Sequence, residues 1–157
     1  MQSDKFTALV RNAIGAAQSA ALAANHQKLT AEHVLAALLK DDNMTVKMLL
    51  AKAGADSASL SALLKAGLDK FPQVTGSGAG QLQLDADLAR IFAAVGAEAK
   101  ARHDQFIAVD LLLLAMTKST GSVGKILKKA GVEPAPLGAA IDEMRKGRTA
   151  DSDAAED

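Results

Sequence analysis

The chain has 157 residues, and its 18 basic and 18 acidic side chains give a formal net charge of zero at pH 7. That balance argues against a strongly basic surface for nucleic acid, and an aromatic content of 3% is too low for platforms on which bases stack. The sequence contains no cysteine, which excludes disulfides, thiol nucleophiles and thiolate metal sites.

Neither a secretion signal nor a membrane span is expected from the sequence. The first five residues lack the basic start and apolar run of a signal peptide. The longest apolar stretches, such as 111–116, are far shorter than the roughly 20 residues needed to cross a bilayer. We therefore expect a soluble, cytoplasmic protein that binds neither membranes nor nucleic acid.

Helical periodicity runs through nearly the whole chain, because apolar residues recur at spacings of three and four. Thr30 stands where an N-cap is expected, and Gly54 and Gly131 stand where a helix would end in a left-handed residue. Pro72 is expected to end the fourth helix. Eight helices are predicted, at about 4–24, after Thr30, at 45–53, after 56 or 57, and at 85–102, 108–118, 122–130 and 135–145.

The second half of the chain repeats the first. Three stretches recur with shifts of 78, 78 and 77 residues: Phe6-x3-Val10 as Leu84-x3-Leu88, 29–35 as 107–113, and 49–56 as 126–133. A repeat of this kind sets the architecture. We expect an all-α fold in which two four-helix units are related by a pseudo-twofold axis.

The domain boundaries follow from this repeat. The first unit covers about 4–70 and the second about 84–147, with a linker at 71–83 that contains the glycine-rich stretch 75–80. Residues 148–157 are polar and acidic without periodicity, so we expect them to start a flexible linker.

No motif in the sequence predicts catalysis. Gly121 and Gly124 before Lys125 are three residues apart, whereas a phosphate-binding loop needs glycines five apart after a strand, so we expect a helix-start turn. His26, His33 and His103 have no second ligand at helical spacing, so we expect hydrogen-bonded or surface side chains and no metal site. The prediction is a domain without enzymatic activity or a cofactor of its own.

The predicted sixth helix is apolar on every side, because leucine occupies all four positions from 111 to 114. Such a helix is either buried all round or exposes an apolar edge to a partner. The sequence leaves both interpretations open.

The motif at 25–39 and its echo at 104–116, each followed by Ala-Gly and then an acid, resemble the tandem repeat of the Clp ATPase N-terminal domains. The stretches at 5–7, 71–74 and 155–157 are most like the ClpB disaggregase branch of that family. The resemblance implies an eight-helix domain that precedes an ATPase ring, and that ring, which binds the ATP, is absent from this sequence.

The resemblance also implies a function. A domain of this kind would bind unfolded or aggregated polypeptide weakly and feed it to the ring, with adaptors or co-chaperones as further partners. The isolated domain would be a monomer and the parent a hexamer. The first alternative is an adaptor-docking domain of a protease-coupled ClpA- or ClpC-type unfoldase. The second is a free-standing small-molecule binder or enzyme built on the same repeats.

The same resemblance associates Thr7, Asp104 and Asp110 with substrate handling, although the family usually has glutamate at the last position. Each residue also has a structural explanation, since Asp110 would favour the dipole of its helix and Thr7 would be a surface residue in an early turn. Our hypothesis is a substrate groove near the seam between the repeats. Its apolar lining would be Ile91, Val95 and Leu111, with Thr7, Asp104 and Asp110 at the rim.

Overall fold

A computed structural model describes residues 3–41, 44–75 and 81–156. Within these ranges the chain forms eight α-helices, which confirms the predicted all-α fold. The helices are α1 (Ala8–Ala23), α2 (Ala31–Lys40), α3 (Met44–Lys52), α4 (Ser57–Asp69), α5 (Ala86–Ala101), α6 (Val109–Thr117), α7 (Ser122–Lys129) and α8 (Pro134–Arg145). A 3-10 turn covers Ser3–Lys5, and two short strands, β1 (Lys28–Leu29) and β2 (Gln83–Leu84), complete the described elements.

One predicted helix boundary is wrong. The first helix begins at Ala8 rather than near residue 4, because Thr7 has extended backbone angles and its hydroxyl caps the helix by accepting from Val10 N. The fourth helix ends at Asp69, and Pro72 lies two residues after its C-cap, Lys70, as expected for a proline that stops a helix. Most of the predicted glycine-rich linker, residues 76–80, lies outside the described residues.

The predicted caps at Thr30, Gly54 and Gly131 are confirmed. The Thr30 hydroxyl accepts from the backbone N–H of His33, and the Nδ1 of His33 accepts from the backbone N–H of Thr30, which makes a capping box. Gly54 and Gly131 both take left-handed backbone angles, with φ of 89° and 88°. A Cβ added to Gly131 would lie 3.3 Å from the carbonyl oxygen of Gly54. The two helix ends therefore approach each other closely.

The first residues of each repeat pair with a loop of the other repeat. Leu84 of β2 pairs in parallel with Leu29 of β1, and Phe6 pairs in parallel with Ile107 in an isolated bridge. These two pairs are related by the 78-residue shift, so each repeat begins against the loop between the first two helices of the other. Across the seam α3 packs on α8 and α4 on α7. One hydrophobic cluster runs through both repeats, so they share a single core.

The four leucines of α6 belong to this core. Leu111, Leu112, Leu113 and Leu114 are all buried, because α6 is covered by α5, α7, α8 and α3. The structure thus favours the buried interpretation of the sixth helix.

A pair of buried imidazoles sits beside the capping box of α2. The Nδ1 of His26 lies 2.8 Å from the Nε2 of His33, and the ring of Phe71 packs 5.5 Å from each imidazole. Burial, with a smaller contribution from His26, lowers the pKa of His33 to about 4. The pair fastens the chain after α4 to the loop between α1 and α2.

The depressed pKa of His33 predicts a loss of stability in mild acid. The unfolded chain takes up a proton at His33 near pH 6.5, whereas the folded chain does so only near pH 4, so stability falls as the pH drops through this window. The loss amounts to up to about 3 kcal/mol. We expect His33→Gln, which keeps a capping side chain, to lose less stability in urea unfolding between pH 7 and pH 4.5.

His103→Gln, which removes an exposed imidazole, is the matched control. Equal pH dependence of the His33→Gln variant and the unmodified chain would rule out this assignment.

Candidate functional site

A groove lies between α5 and α6, and it encloses about 270 Å³. Its floor consists of Ile91, Leu111 and Leu114, which are core residues with no more than 4% of their surface exposed. Ala94 and Ala115 line it nearer the surface, and their small side chains leave the space open. The groove therefore offers an apolar floor that a side chain of another polypeptide can contact.

Charges of both signs surround this floor, supplied by Asp87, Arg90, Glu98 and Lys118. The Ser119 hydroxyl donates to Asp87 Oδ2 over 2.9 Å, and the Arg90 guanidinium lies 3.7 Å from the other carboxylate oxygen. Glu98 is paired with Arg102 at 3.1 Å. Neither carboxylate is left without a partner, so the edge of the groove carries no strong net charge.

The turn at 121–125 directly follows Ser119 and Thr120, which line the groove. Gly121 is the N-cap of α7, which confirms a helix-start turn in place of a phosphate loop. A Cβ at this position would lie 2.4 Å from Asp87 Oδ2, and one at Gly124 would fall closer still to the Ser119 carbonyl oxygen. Glycine is required at Gly124, where the close neighbour is backbone, whereas at Gly121 the close neighbour is the end of the Asp87 side chain.

The predicted site residues fall in two separate places. Ile91 and Leu111 line this groove, whereas Val95 is fully buried and does not line it. The groove lies inside the second repeat, between its first two helices, and not at the seam. Thr7, Asp104 and Asp110 do not line this groove.

Asp104 and Asp110 are instead joined by an arginine that the sequence did not single out. Arg145 donates from Nε and Nη2 to the two oxygens of Asp110, over 2.6 and 2.9 Å, and from Nη1 to Asp104 over 2.9 Å. The Asp104 side chain is 0% exposed. The hydrogen bonds to Asp110, followed by those to Asp104, raise the pKa of Arg145. This triad joins α8 to the start of α6.

Thr7 is fully buried, so the interpretation as a surface residue is wrong. Its hydroxyl donates to Glu156 Oε2 over 2.8 Å, and the same oxygen accepts from Val109 N over 2.8 Å. Burial, and to a lesser degree the charge of Asp110, raises the pKa of Glu156. Glu156 was not predicted as a site residue, since it lies in a stretch without periodicity.

Residues 149–156 do not extend away from the domain as the predicted linker would. Ala150 is buried, its carbonyl accepts from the N–H groups of Gln105 and Phe106 over 3.0 Å, and its own N–H donates to Asp104. Ala8 N donates to the Asp153 carbonyl over 2.7 Å. The polar composition misled the prediction because backbone groups make most of these contacts.

No three His, Asp or Glu side chains in the described ranges lie close enough together to hold a metal ion. In the same ranges, no helix is long and apolar enough to span a membrane.

Comparison with known proteins agrees with the fold. Residues 5–144 match the Clp repeat (R) N-terminal domain. The chain belongs to this family. It is 43% identical over 157 residues to the chaperone protein ClpB of Rhizobium meliloti (strain 1021), and 41% identical to that of Rhodopseudomonas palustris. Each alignment covers 99% of this chain but only 18% of the relative, so the chain spans about a fifth of their length.

Solved structures share the fold at lower identity. The Hsp104 N-terminal domain of Candida albicans superposes with a TM-score of 0.84 at 21% identity, covering 98% of this chain and 99% of the other. A ClpV N-domain in complex with a VipB peptide gives a TM-score of 0.72 at 14% identity, covering 95% and 91%.

We expect the loss of Arg145, which binds both Asp104 and Asp110, to lower the free energy of unfolding. Arg145→Met would leave the buried Asp104 and the nearby Asp110 without their counter-charge, and breaking such a pair costs about 3–5 kcal/mol. Lys52→Met is the matched control, because it removes a pair with Glu143 that is open to solvent and worth at most about 1 kcal/mol. Urea unfolding of both variants measures the difference, and equal losses would contradict a structural role for the triad.

Proposed function

We propose that this chain is the substrate-recognition module of a ClpB-type disaggregase, which binds unfolded or aggregated polypeptide weakly and passes it to an ATPase ring elsewhere in a longer protein. The observation that carries the proposal is the apolar groove between α5 and α6. ATP would bind in the ring and not in this domain. The parent would be a cytoplasmic hexamer and the isolated domain a monomer.

The size of the groove suits weak binding. A volume of about 270 Å³ has room for one or two apolar side chains. Burying roughly 100 Å² of apolar surface at about 25 cal/mol per Å² contributes about 2.5 kcal/mol, less than a millimolar complex requires. Extended contacts along a client would add to this. Several domains around one ring would raise the effective affinity by avidity while each still releases its client.

The charges around the groove favour a broad choice of clients. Selection of segments with basic flanks would need unpaired carboxylates at the rim, but Asp104 and Asp110 lie elsewhere and are bound to Arg145. Arg90 and Lys118 balance Asp87 and Glu98. Selection would therefore rest on apolar content, as suits a module that handles unrelated unfolded chains.

The peptide complex of the ClpV N-domain supports peptide binding by domains of this fold. It is also compatible with the alternative adaptor-docking function, because a docked adaptor segment and an unfolded client would both place an extended peptide in the groove. The relatives are ClpB chaperone proteins, which favours a ClpB-type function over adaptor docking.

Ala94 offers a direct test, because it lines the groove yet is exposed on α5. Ala94→Lys would place a long charged side chain across the apolar floor without disturbing the core. We expect at least fivefold weaker binding of a permanently unfolded, reduced and carboxymethylated protein, measured by fluorescence anisotropy. The matched control is Ala89→Lys, which makes the same exchange at an exposed position on the other side of α5.

Unchanged affinity in a folded Ala94→Lys variant would exclude the groove as the client site. Leu111→Asp is unsuitable for this purpose. The side chain at 111 is 1% exposed, so a carboxylate there would unfold the domain before it tested any binding.

A further inference from the structure

The segment 149–156, named the strap from here on, folds back over the start of both α1 and α6. It turns back after α8 through two left-handed residues, Lys146 and Gly147, with φ of 50° and 84°. Ala150 then lies buried against the loop before α6, and Asp153 accepts from Ala8 N at the start of α1. The strap ends with the Glu156 carboxylate between Thr7 and the first amide of α6.

The path of the strap has a counterpart in the first repeat. After α4 the chain also runs back over the loop between the first two helices of its repeat. There Gln73 pairs with His26, and Val74 N donates to the Asn25 carbonyl over 2.7 Å. A shift of 77 or 78 residues converts the pair of Gln73 and His26 into Ala150 and Asp104, which are hydrogen bonded. At the end of both repeats, the chain thus crosses the loop between the first two helices of its own repeat.

The strap also supplies a hydrogen-bond acceptor at the start of α6. In the first repeat, Thr30 caps α2 with its hydroxyl. Its counterpart Ala108 has no side-chain oxygen and makes no such bond for α6. Glu156 Oε2 accepts from the N–H of Val109, the first residue of α6, where a carboxylate also favours the helix dipole.

We propose that the strap is a reversible element latched by Glu156, and that Thr7 and Asp104 act by holding it rather than by touching a bound polypeptide. Release would free the first amide of α6 and the Thr7 hydroxyl. It would also add eight residues of tether, up to about 28 Å when fully extended, to the connection between this domain and any following one. Strap docking would thereby set how far the domain reaches.

Hydrogen exchange on the whole chain tests the latch, because particular amides donate to the strap. In Glu156→Ala we expect the amides of Ala8, Gln105, Phe106 and Val109 to exchange at least tenfold faster than in the unmodified chain. The amide of Val132, which donates to the Leu127 carbonyl inside the second repeat, should keep its rate.

Asp151→Ala is the matched control, because it removes one negative charge from an exposed position in the same segment. We expect its four reporter amides to stay within twofold of the unmodified chain. Unchanged exchange in Glu156→Ala would overturn the latch. Acceleration of Val132 together with the four reporters would also overturn it, since the segment would then be a fixed part of the core.

Discussion

The exchange of first residues between the repeats determines most of this structure. Phe6 pairs with Ile107 and Leu29 with Leu84, so neither repeat begins on its own body. Because of the first pair, the start of α1 lies beside the start of α6. Thr7 therefore lies close to the second repeat, and the strap packs over the place where the two helix starts meet. The α5–α6 groove, in contrast, depends on contacts inside one repeat.

Equivalent positions in the two repeats carry polar side chains of different types, and each type is hydrogen bonded to a different partner. His26 corresponds to Asp104, and Glu32 to Asp110. In the first repeat, His26 bonds to His33 and Glu32 accepts from the Ser122 hydroxyl over 2.7 Å, while burial raises the pKa of Glu32. In the second repeat both positions bind Arg145. A duplicated scaffold tolerates this divergence because each buried polar group needs a partner but not a particular one.

Sequence periodicity predicted the helices well because their apolar stripes, and caps such as Thr30 and Gly54, are local signals. It also identified Ile91 and Leu111 in the groove, since both positions are apolar residues of adjacent predicted helices. The partners of Asp104 and Asp110 could not be found this way, because Arg145 is 41 and 35 residues away and has no spacing signal. The strap escaped prediction for a related reason. It is held by backbone groups, by the carboxylates of Asp104 and Glu156, and by an ion pair between Arg11 and Asp153, and none of these contacts produces a periodic pattern.

The chain on both sides of residues 76–80 is hydrogen bonded to the first repeat, and this affects how the domain would respond to a cut between the repeats. On one side of residues 76–80, Val74 N donates to the Asn25 carbonyl, and on the other Gln83 N donates to the Gln27 carbonyl. Both flanks are thus tied to the same short loop, and the apolar cluster continues across the seam. A single proteolytic cut between the repeats would break the chain without parting the halves. The domain is therefore suited to reassembly from two separately made fragments, each supplying the first strand or bridge that the other needs.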